Sequence, residues 1–360
     1  MKVLFIINHL NAGGAEKILS VLANSFSTRG LDVVIATVSE NEPFYTLSEE
    51  IEIVPIRRKK AFLPSVSKVM APFHFVFAIK DMMKMVQPDI VISFTTTMNV
   101  YSIFAAKMLG LPIIVSEHTN FHRAKNTFWR YFRQVVYPFA DTLVVLTDYD
   151  KEKYRFIKNI VRIHNPLVLE HRHKDIKREK IILAVGRLHK VKGFDLLLES
   201  FARLNQDGWH LVILGEGSER EYLESLVNEL KISDKVQMPG LVKDVELFYK
   251  KASIFVLSSR AEGFPGTLCE AMGYGCAVVA YDCLTGPRDI IRHGVDGFLV
   301  EAENIEALTA SMQLLVNKDS EVSLLGKNAT NIVTRLHIET ITKEWMEIIN
   351  LLVLKEVKND

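Results

Sequence analysis

Residues 1–38, MKVLFIINHLNAGGAEKILSVLANSFSTRGLDVVIATV, decide the fold. The short apolar run at 2–8 ends in polar Asn8-His9 and reads as a buried strand. From Ala15 to Arg29 the period changes, and Ile18, Val21, Leu22 and Phe26 share one face of a helix. Gly30 supplies the helix stop. A second Val/Ile-rich run follows at 32–38. Strand, helix, strand is the unit of a parallel sheet covered by helices. Runs at 51–56, 89–94, 112–117 and 142–147 extend it.

The pattern restarts further on. Strands are predicted at 180–186, 210–215, 253–258, 277–281 and 297–300. Helices are predicted at 194–205, 218–230, 243–251, 267–273, 287–292 and 304–317, and a last amphipathic segment from Ile338 to Val353 carries Trp345. Between the two series, LVLEHRHKDIKREK is polar, charged and without period, and reads as a linker. The expectation is α/β: two Rossmann-like domains, 1–166 and 179–337, joined by 167–178 and facing a central cleft. Clefts of this kind commonly take ligands.

A chain of 360 residues is long enough for two cores, and 48% hydrophobic against 24% charged residues excludes a largely disordered chain. The net charge of +1 gives no case for a nucleic-acid partner. It conceals a split, however. Residues 1–170 carry +5 and the remainder −4, and between Arg57 and Val86 seven basic residues face one acid, Asp81. Three cysteines make no disulfide framework, and no secretory signal is legible. The longest apolar candidate, VMAPFHFVFAI at 69–79, is interrupted by Pro72 and His74 and is too short to span a bilayer. A cytosolic protein with a surface-lying membrane contact is expected.

Four constellations could carry chemistry. Gly13-Gly14 lies between the first strand and helix, where backbone can approach a ligand and the helix start favours an anion. It equally suits a tight turn. Neither this loop nor GEGSER at Gly215 fits the dinucleotide pattern, so a nicotinamide dehydrogenase lacks its fingerprint. His118 follows an apolar strand in VSEHTN, at the carboxyl end of a strand, where α/β sites gather. GRLHKVKG (186–193) also follows a strand, and offers Arg187 as a planar fork and Lys192 as a point charge for a diphosphate. EGFPGTLCEAMGYG is the strongest. Pro265 and Gly266 shape a turn, a helix begins at Thr267, Glu270 sits about one turn into it, and Glu262 lies on the incoming loop. Free N–H groups there suit an anion, and the two carboxylates suit hydroxyls of a polyol. Asp148 and Asp150 read as a helix start, His171 and His173 as linker residues, and Cys269, Cys276 and Cys283 as buried thiols, with no metal site assigned.

Taken together, the glycine loop, EHTN, Asn165-Pro166, GRLHKVKG and EGFPGTLCEAM resemble retaining glycosyltransferase family 4, with its glycosyltransferase-B architecture. EHTN…WRYFRQVVYPFADTLVVL is similar to bacterial enzymes that add GalNAc or a related hexose to undecaprenyl-diphosphate-linked glycans. The resemblance implies that Arg187 and Lys192 neutralise a UDP-sugar diphosphate, that Glu270 holds the ribose, and that Glu262 holds the donor sugar. It implies that backbone from Phe264 through Pro265, Gly266 and Thr267 to Leu268 grips sugar and phosphate. His118 would face the donor sugar, Gly14 would lie near the phosphates, and the base would stack by backbone near Leu241 in PGLVKDV. No metal or other cofactor is implied. The helix around Trp345 would cross back to the first domain.

The acceptor side rests on Arg57, Arg58, Lys59 and Lys60, then Lys68, Lys80 and Lys84, interleaved with Met and Phe. A second cluster is Arg123, Lys125, Arg130 and Arg133 with Phe128, Trp129 and Phe132. Cations beside apolar rings suit an anionic inner-membrane surface and a lipid diphosphate. An ordinary solvated helix face is the plain alternative. The activity expected is transfer from a UDP-sugar to a lipid-linked glycan at the inner face of the membrane. A soluble-acceptor transferase, a UDP-sugar epimerase and a non-catalytic lipid- or nucleotide-binding protein stay open.

Overall fold

The computed structural model describes residues 1–39, 41–57, 67–123, 127–169, 176–205 and 207–356. Two compact units emerge: Met1–Pro166 with Ile338–Asp360, and Leu167–His337.

The first unit is built on β1 (Lys2–Ile7), β2 (Asp32–Thr37), β3 (Glu52–Pro55), β4 (Ile90–Phe94), β5 (Ile113–Ser116), β6 (Thr142–Val145) and β7 (Ile160–Arg162). All pair in parallel, in the order β3-β2-β1-β4-β5-β6-β7. Val3 to Ile7 are fully buried because helices cover both faces. Alternation splits β1: Leu4 and Ile6 join one core with Met98, Ile103 and Val115, whereas Val3, Phe5 and Ile7 join another with Leu22, Phe26 and Trp345. The final helix, Ile338–Glu356, belongs to that second core. Ile341, Trp345 and Ile349 are buried at four-residue spacing, and its Thr342 hydroxyl meets Ser25 Oγ at 2.8 Å.

The apolar run that the sequence interrupts at Pro72 is a single helix, Ser67–Val86. Proline there removes one intrahelical N–H. The helix is carried beyond it by buried Phe75, Ile79, Met82, Met83 and Val86. Among the described residues no helix is long and apolar enough to cross a membrane.

The second unit holds β8 (Glu179–Val185), β9 (His210–Leu214), β10 (Val236–Gly240), β11 (Ala252–Leu257), β12 (Ala277–Asp282) and β13 (Phe298–Glu301). These too are parallel, in the order β10-β9-β8-β11-β12-β13. The sequence reading lacks β7, β10 and the helices Asp319–Ala329 and Ile332–Arg335. Pro239 hides β10, and it is tolerated because β10 is an edge strand.

The segment expected as a linker is tied to the second unit at both ends. Leu167 N–H donates to the Leu336 carbonyl at 2.8 Å, and the Leu167 and Leu169 side chains abut Gly273. Arg178 donates to the Ala252 and Tyr274 carbonyls. His171 and His173 lie outside the described residues.

In each sheet the strand order reverses once, between β1 and β4 and between β8 and β11. Connections leave in opposite directions there and open a crevice at the carboxyl ends. Replacing Trp345 by Ala is expected to cost about 3–5 kcal/mol of stability, measured by denaturant unfolding of the first unit's signal; a loss below about 1 kcal/mol would remove the last helix from this core.

Candidate active site

At the β8/β11 reversal, the turn after β8 is fixed by close backbone approach. Gly193 has φ +63°, and a Cβ there would lie 2.0 Å from the Ser258 carbonyl oxygen, just after β11. Ser258 Oγ donates to the Lys192 carbonyl at 3.0 Å. On the other side, Cβ atoms at Gly215 and Gly217 would fall 1.9 and 2.1 Å from the carbonyl oxygens of Gly186 and Leu188. GEGSER is therefore a packing element for the 186–193 turn. Arg260 adds a clamp, pairing with both oxygens of Asp195 at 2.8 and 2.7 Å and donating to the Lys190 carbonyl at 2.7 Å.

This scaffold brings Lys192 and Glu262 together. Lys192 Nζ donates to Glu262 Oε1 at 2.6 Å, and Ser259 Oγ donates to the same oxygen at 2.6 Å. Glu262 is buried and its carbonyl accepts from the Thr285 hydroxyl. Arg187 is exposed, with no hydrogen bond or ion pair among the described residues. The sequence reading offered Lys192 as a point charge for a diphosphate; the structure adds a carboxylate partner, which that reading did not foresee.

Phe264 and Pro265 lead into the helix Gly266–Gly273, which has no side-chain cap. Leu268 and Cys269 N–H groups share the Pro265 carbonyl, which leaves Gly266 and Thr267 N–H without an intrahelical acceptor. Nothing lies within 4 Å of the position a Gly266 Cβ would take. Further along, Glu270 accepts from Tyr249 Oη at 3.1 Å. Tyr249 is buried and stacked on Tyr274 at 5.5 Å; burial, reinforced by Glu270, pushes its hydroxyl well above the usual range, so it stays a donor. Sequence reasoning missed Tyr249. Leu241, after the edge strand β10, is 81% exposed at the carboxyl end of the sheet. Cys269, Cys276 and Cys283 are buried free thiols pushed up by burial. Among the described residues no His/Cys/Asp/Glu cluster could hold a metal ion.

In the first unit, Gly13 caps the helix Gly14–Ser27 in an extended conformation. A Cβ on Gly13 would lie 2.1 Å from Glu16 Oε2, while that of Gly14 would face open space. The buried Glu16 carboxylate, 3.1 Å from His9 Nδ1, thus already sits beside the positive end of the helix. Its position as the third helical residue was the available signal.

His118 is partly buried after β5, stacked on Phe94 at 4.9 Å, with Nε2 3.0 Å from Ser116 Oγ. Burial lowers its pKa to about 4, so the ring is neutral near pH 7. Glu117 points to the opposite face. It accepts from Thr96 Oγ1 at 3.0 and 2.9 Å, Thr119 Oγ1 at 2.8 Å and Tyr137 Oη at 2.7 Å. Arg133 is fully buried, between the rings of Phe121 and Tyr154 at 4.7 and 5.0 Å, with Nη1 3.9 Å from Glu117. Arg133 must therefore be taken out of the surface basic cluster, since desolvation removes it from any lipid.

Of the remaining acceptor-side residues, Arg57 and Arg130 are exposed and Lys80 lies 5.5 Å above the Phe77 ring. Arg58, Lys59, Lys60 and Lys125 lie outside the described residues, as do the side chains of Lys68, Arg123 and Phe128. Phe73, Phe77, Phe104, Met108, Trp129 and Phe132 line an apolar cavity of about 580 Å³.

Two units of this strand order, each with its crevice at a sheet reversal, define the glycosyltransferase-B fold. The chain belongs to the glycosyltransferases. Residues 12–171 match the family described as Glycosyltransferase Family 4, and residues 169–332 that described as Glycosyl transferases group 1. Over 366 residues, spanning 100% of this chain and 99% of the relative, it is 33% identical to a Campylobacter jejuni enzyme. That enzyme is named GalNAc-alpha-(1->4)-GalNAc-alpha-(1->3)-diNAcBac-PP-undecaprenol alpha-1,4-N-acetyl-D-galactosaminyltransferase. It is 26% identical to the amylovoran biosynthesis glycosyltransferase AmsD of Erwinia amylovora, over 97% of this chain and 99% of that one. The structure of Anabaena HepE, solved with UDP and glucose, superposes with a TM-score of 0.81 over 98% of this chain and 100% of that one, at 18% identity.

The depressed His118 pKa has a stability consequence. Between about pH 6.5 and 4 the unfolded chain binds a proton at this ring and the folded chain does not, so stability falls as the pH falls through that window. The slope is at most about 1.4 kcal/mol per pH unit. Unfolding free energies of the protein and of His118→Asn should converge as pH drops from 6.5 to 4; parallel curves would assign the acid sensitivity to other groups.

Proposed function

We propose that this glycosyltransferase moves a hexose or N-acetylhexosamine, with GalNAc favoured, from a UDP-sugar to a lipid-linked glycan in bacterial glycan assembly, with retention of anomeric configuration. One observation carries the donor side: Arg187, the Lys192–Glu262 pair and the uncapped start of Gly266–Gly273 gather at one sheet reversal. Cations and bare N–H groups there suit a diphosphate, and buried Glu262 suits sugar hydroxyls. Glu270, held by Tyr249, is proposed for the ribose, and Leu241 with its flanking backbone for the base. His118 is the proposed contact of the first unit with the donor sugar, and Gly14 leaves room near the phosphates.

Arg187 and Lys192 provide the positive charge that a departing diphosphate needs, so the proposed reaction uses no metal. The acceptor oxygen attacks the anomeric carbon on the face from which UDP leaves. As the bond from that carbon to the β-phosphate oxygen breaks, the freed phosphate oxygen takes the acceptor proton. No protein base is then required.

The lipid-linked acceptor is supported by the undecaprenol named for the Campylobacter relative, and by Lys80 set over Phe77, which lines the apolar cavity of the first unit. Peripheral attachment to an anionic inner-membrane surface is proposed on the basic residues of the first unit, each Lys or Arg contributing about 1 kcal/mol near such a surface.

A panel of UDP- and GDP-sugars offered with undecaprenyl-diphosphate glycans should give UDP release only when acceptor is present. Donor turnover independent of acceptor would favour an epimerase or hydrolase, and no turnover would end the transferase assignment to these substrates. Arg187→Ala should weaken UDP affinity by about 10-fold, the scale of one charge-assisted hydrogen bond, and Lys192→Ala, whose charge is already shared with Glu262, by a smaller factor, both measured by calorimetry. Neutralising Arg57 to Lys60 should lower flotation with anionic liposomes; unchanged flotation would sink the membrane reading.

A further inference from the structure

β4 and β5 pair in register with Phe94 beside Ser116, so both side chains project to the same face of the sheet. Two residues on, His118 returns to that face. The three meet at its carboxyl end: the His118 ring lies on the Phe94 ring, which in turn stacks on Trp345 at 6.5 Å. These rings fix the imidazole plane. Ser116 fixes the edge, with Oγ 3.0 Å from Nε2.

The direction of that hydrogen bond can be settled by counting. Ser116 is fully buried, and its hydroxyl has no other partner among the described residues. Were Nε2 the donor, the hydroxyl proton would be left buried and unpaired, which is costly. The hydroxyl therefore donates to Nε2. A neutral ring with an accepting Nε2 carries its proton on Nδ1. Nδ1 makes no hydrogen bond among the described residues and is not buried away from solvent.

We infer that Ser116 is a positioning residue that holds His118 as the Nδ1–H tautomer and so presents a neutral hydrogen-bond donor, not an acceptor, to an oxygen of the donor sugar. The inference rests on the proposed role of His118 toward that sugar. It adds the polarity of the contact and the residue that sets it. A neutral donor favours a sugar hydroxyl or ring oxygen acting as acceptor, and leaves the diphosphate to the cations of the second unit.

The tautomer is measurable without any donor sugar. In protein labelled with ¹⁵N-histidine, the His118 signals, assigned by their loss in His118→Asn, should show protonated Nδ1 and bare Nε2. The reverse pattern overturns the inference. In transfer assays Ser116→Ala should lower kcat/KM for the sugar donor by about 10-fold, with UDP affinity unchanged. Ser116→Thr, which keeps the hydroxyl, should restore most of it, and an unaltered Ser116→Ala enzyme would also refute the assignment. The amide nitrogen of Asn falls near Nδ1 and that of Gln near Nε2, so His118→Asn should outperform His118→Gln by several-fold; the opposite order counts against Nδ1. Full activity in His118→Ala would instead overturn the proposed sugar contact while leaving the tautomer result intact.

Discussion

The Ser258 carbonyl oxygen occupies the place where a side chain at residue 193 would begin. Everything at the second unit's reversal depends on that exclusion. Only glycine lets the turn after β8 touch the end of β11, and the positive φ of Gly193 brings the chain back into its helix. With the backbone so placed, Ser258 Oγ reaches the Lys192 carbonyl across 66 positions of sequence, and the Lys192 side chain falls on Glu262. Gly215 and Gly217 press the same turn from the other side. A flexible lysine is thereby aimed by three rigid backbone contacts, so less conformational entropy remains to be lost when it binds.

The first unit achieves its order by alternation across a strand. Ser116 and His118 point one way and Glu117 the other, so one short segment serves two environments. On the Glu117 side four hydrogen bonds from three hydroxyls surround a buried carboxylate, and the nearby Arg133 guanidinium is shielded by two aromatic rings. Burial of an ion pair contributes little net stability, because desolvation offsets the attraction. Its value here is geometric: it pins residues 117–121 to the helix Thr127–Val136, and hence the residue that follows Glu117. On the opposite side, rings and one hydroxyl suffice, because His118 is uncharged.

The parallel strands were legible because apolar runs of strand length alternate with helical periodicity, whereas the strand order, and with it both reversals, is a finding of the structure. The motifs proposed for the sugar nucleotide stood out because Gly, Pro, Lys and Glu recur where strands end. What was hidden depended on partners far away in sequence. Arg133 looks like one of four surface cations, and only Phe121, Tyr154 and Glu117 reveal it as interior. Tyr249 looks like a core aromatic until its hydroxyl is seen on Glu270. Glu16 follows a glycine loop that promises room for an anion, yet supplies a carboxylate of its own. Sequence displays charge readily; it displays neutralisation only when both members lie within a few residues.

That distinction bears on how Lys192 serves the proposed reaction. An ammonium carries three N–H donors, and Glu262 Oε1 takes one of them. The others remain for phosphate oxygens, so Lys192 need not leave Glu262 to meet a diphosphate. The carboxylate, also held by Ser259, keeps Oε2 for sugar hydroxyls. Arg187, exposed and unpaired among the described residues, brings a full charge, while Lys192 brings a charge already shared with Glu262. On the proposed reading the two cations thus have different duties. Arg187 supplies the larger net attraction for the diphosphate, and Lys192 couples the position of the phosphate to that of the carboxylate beside the sugar.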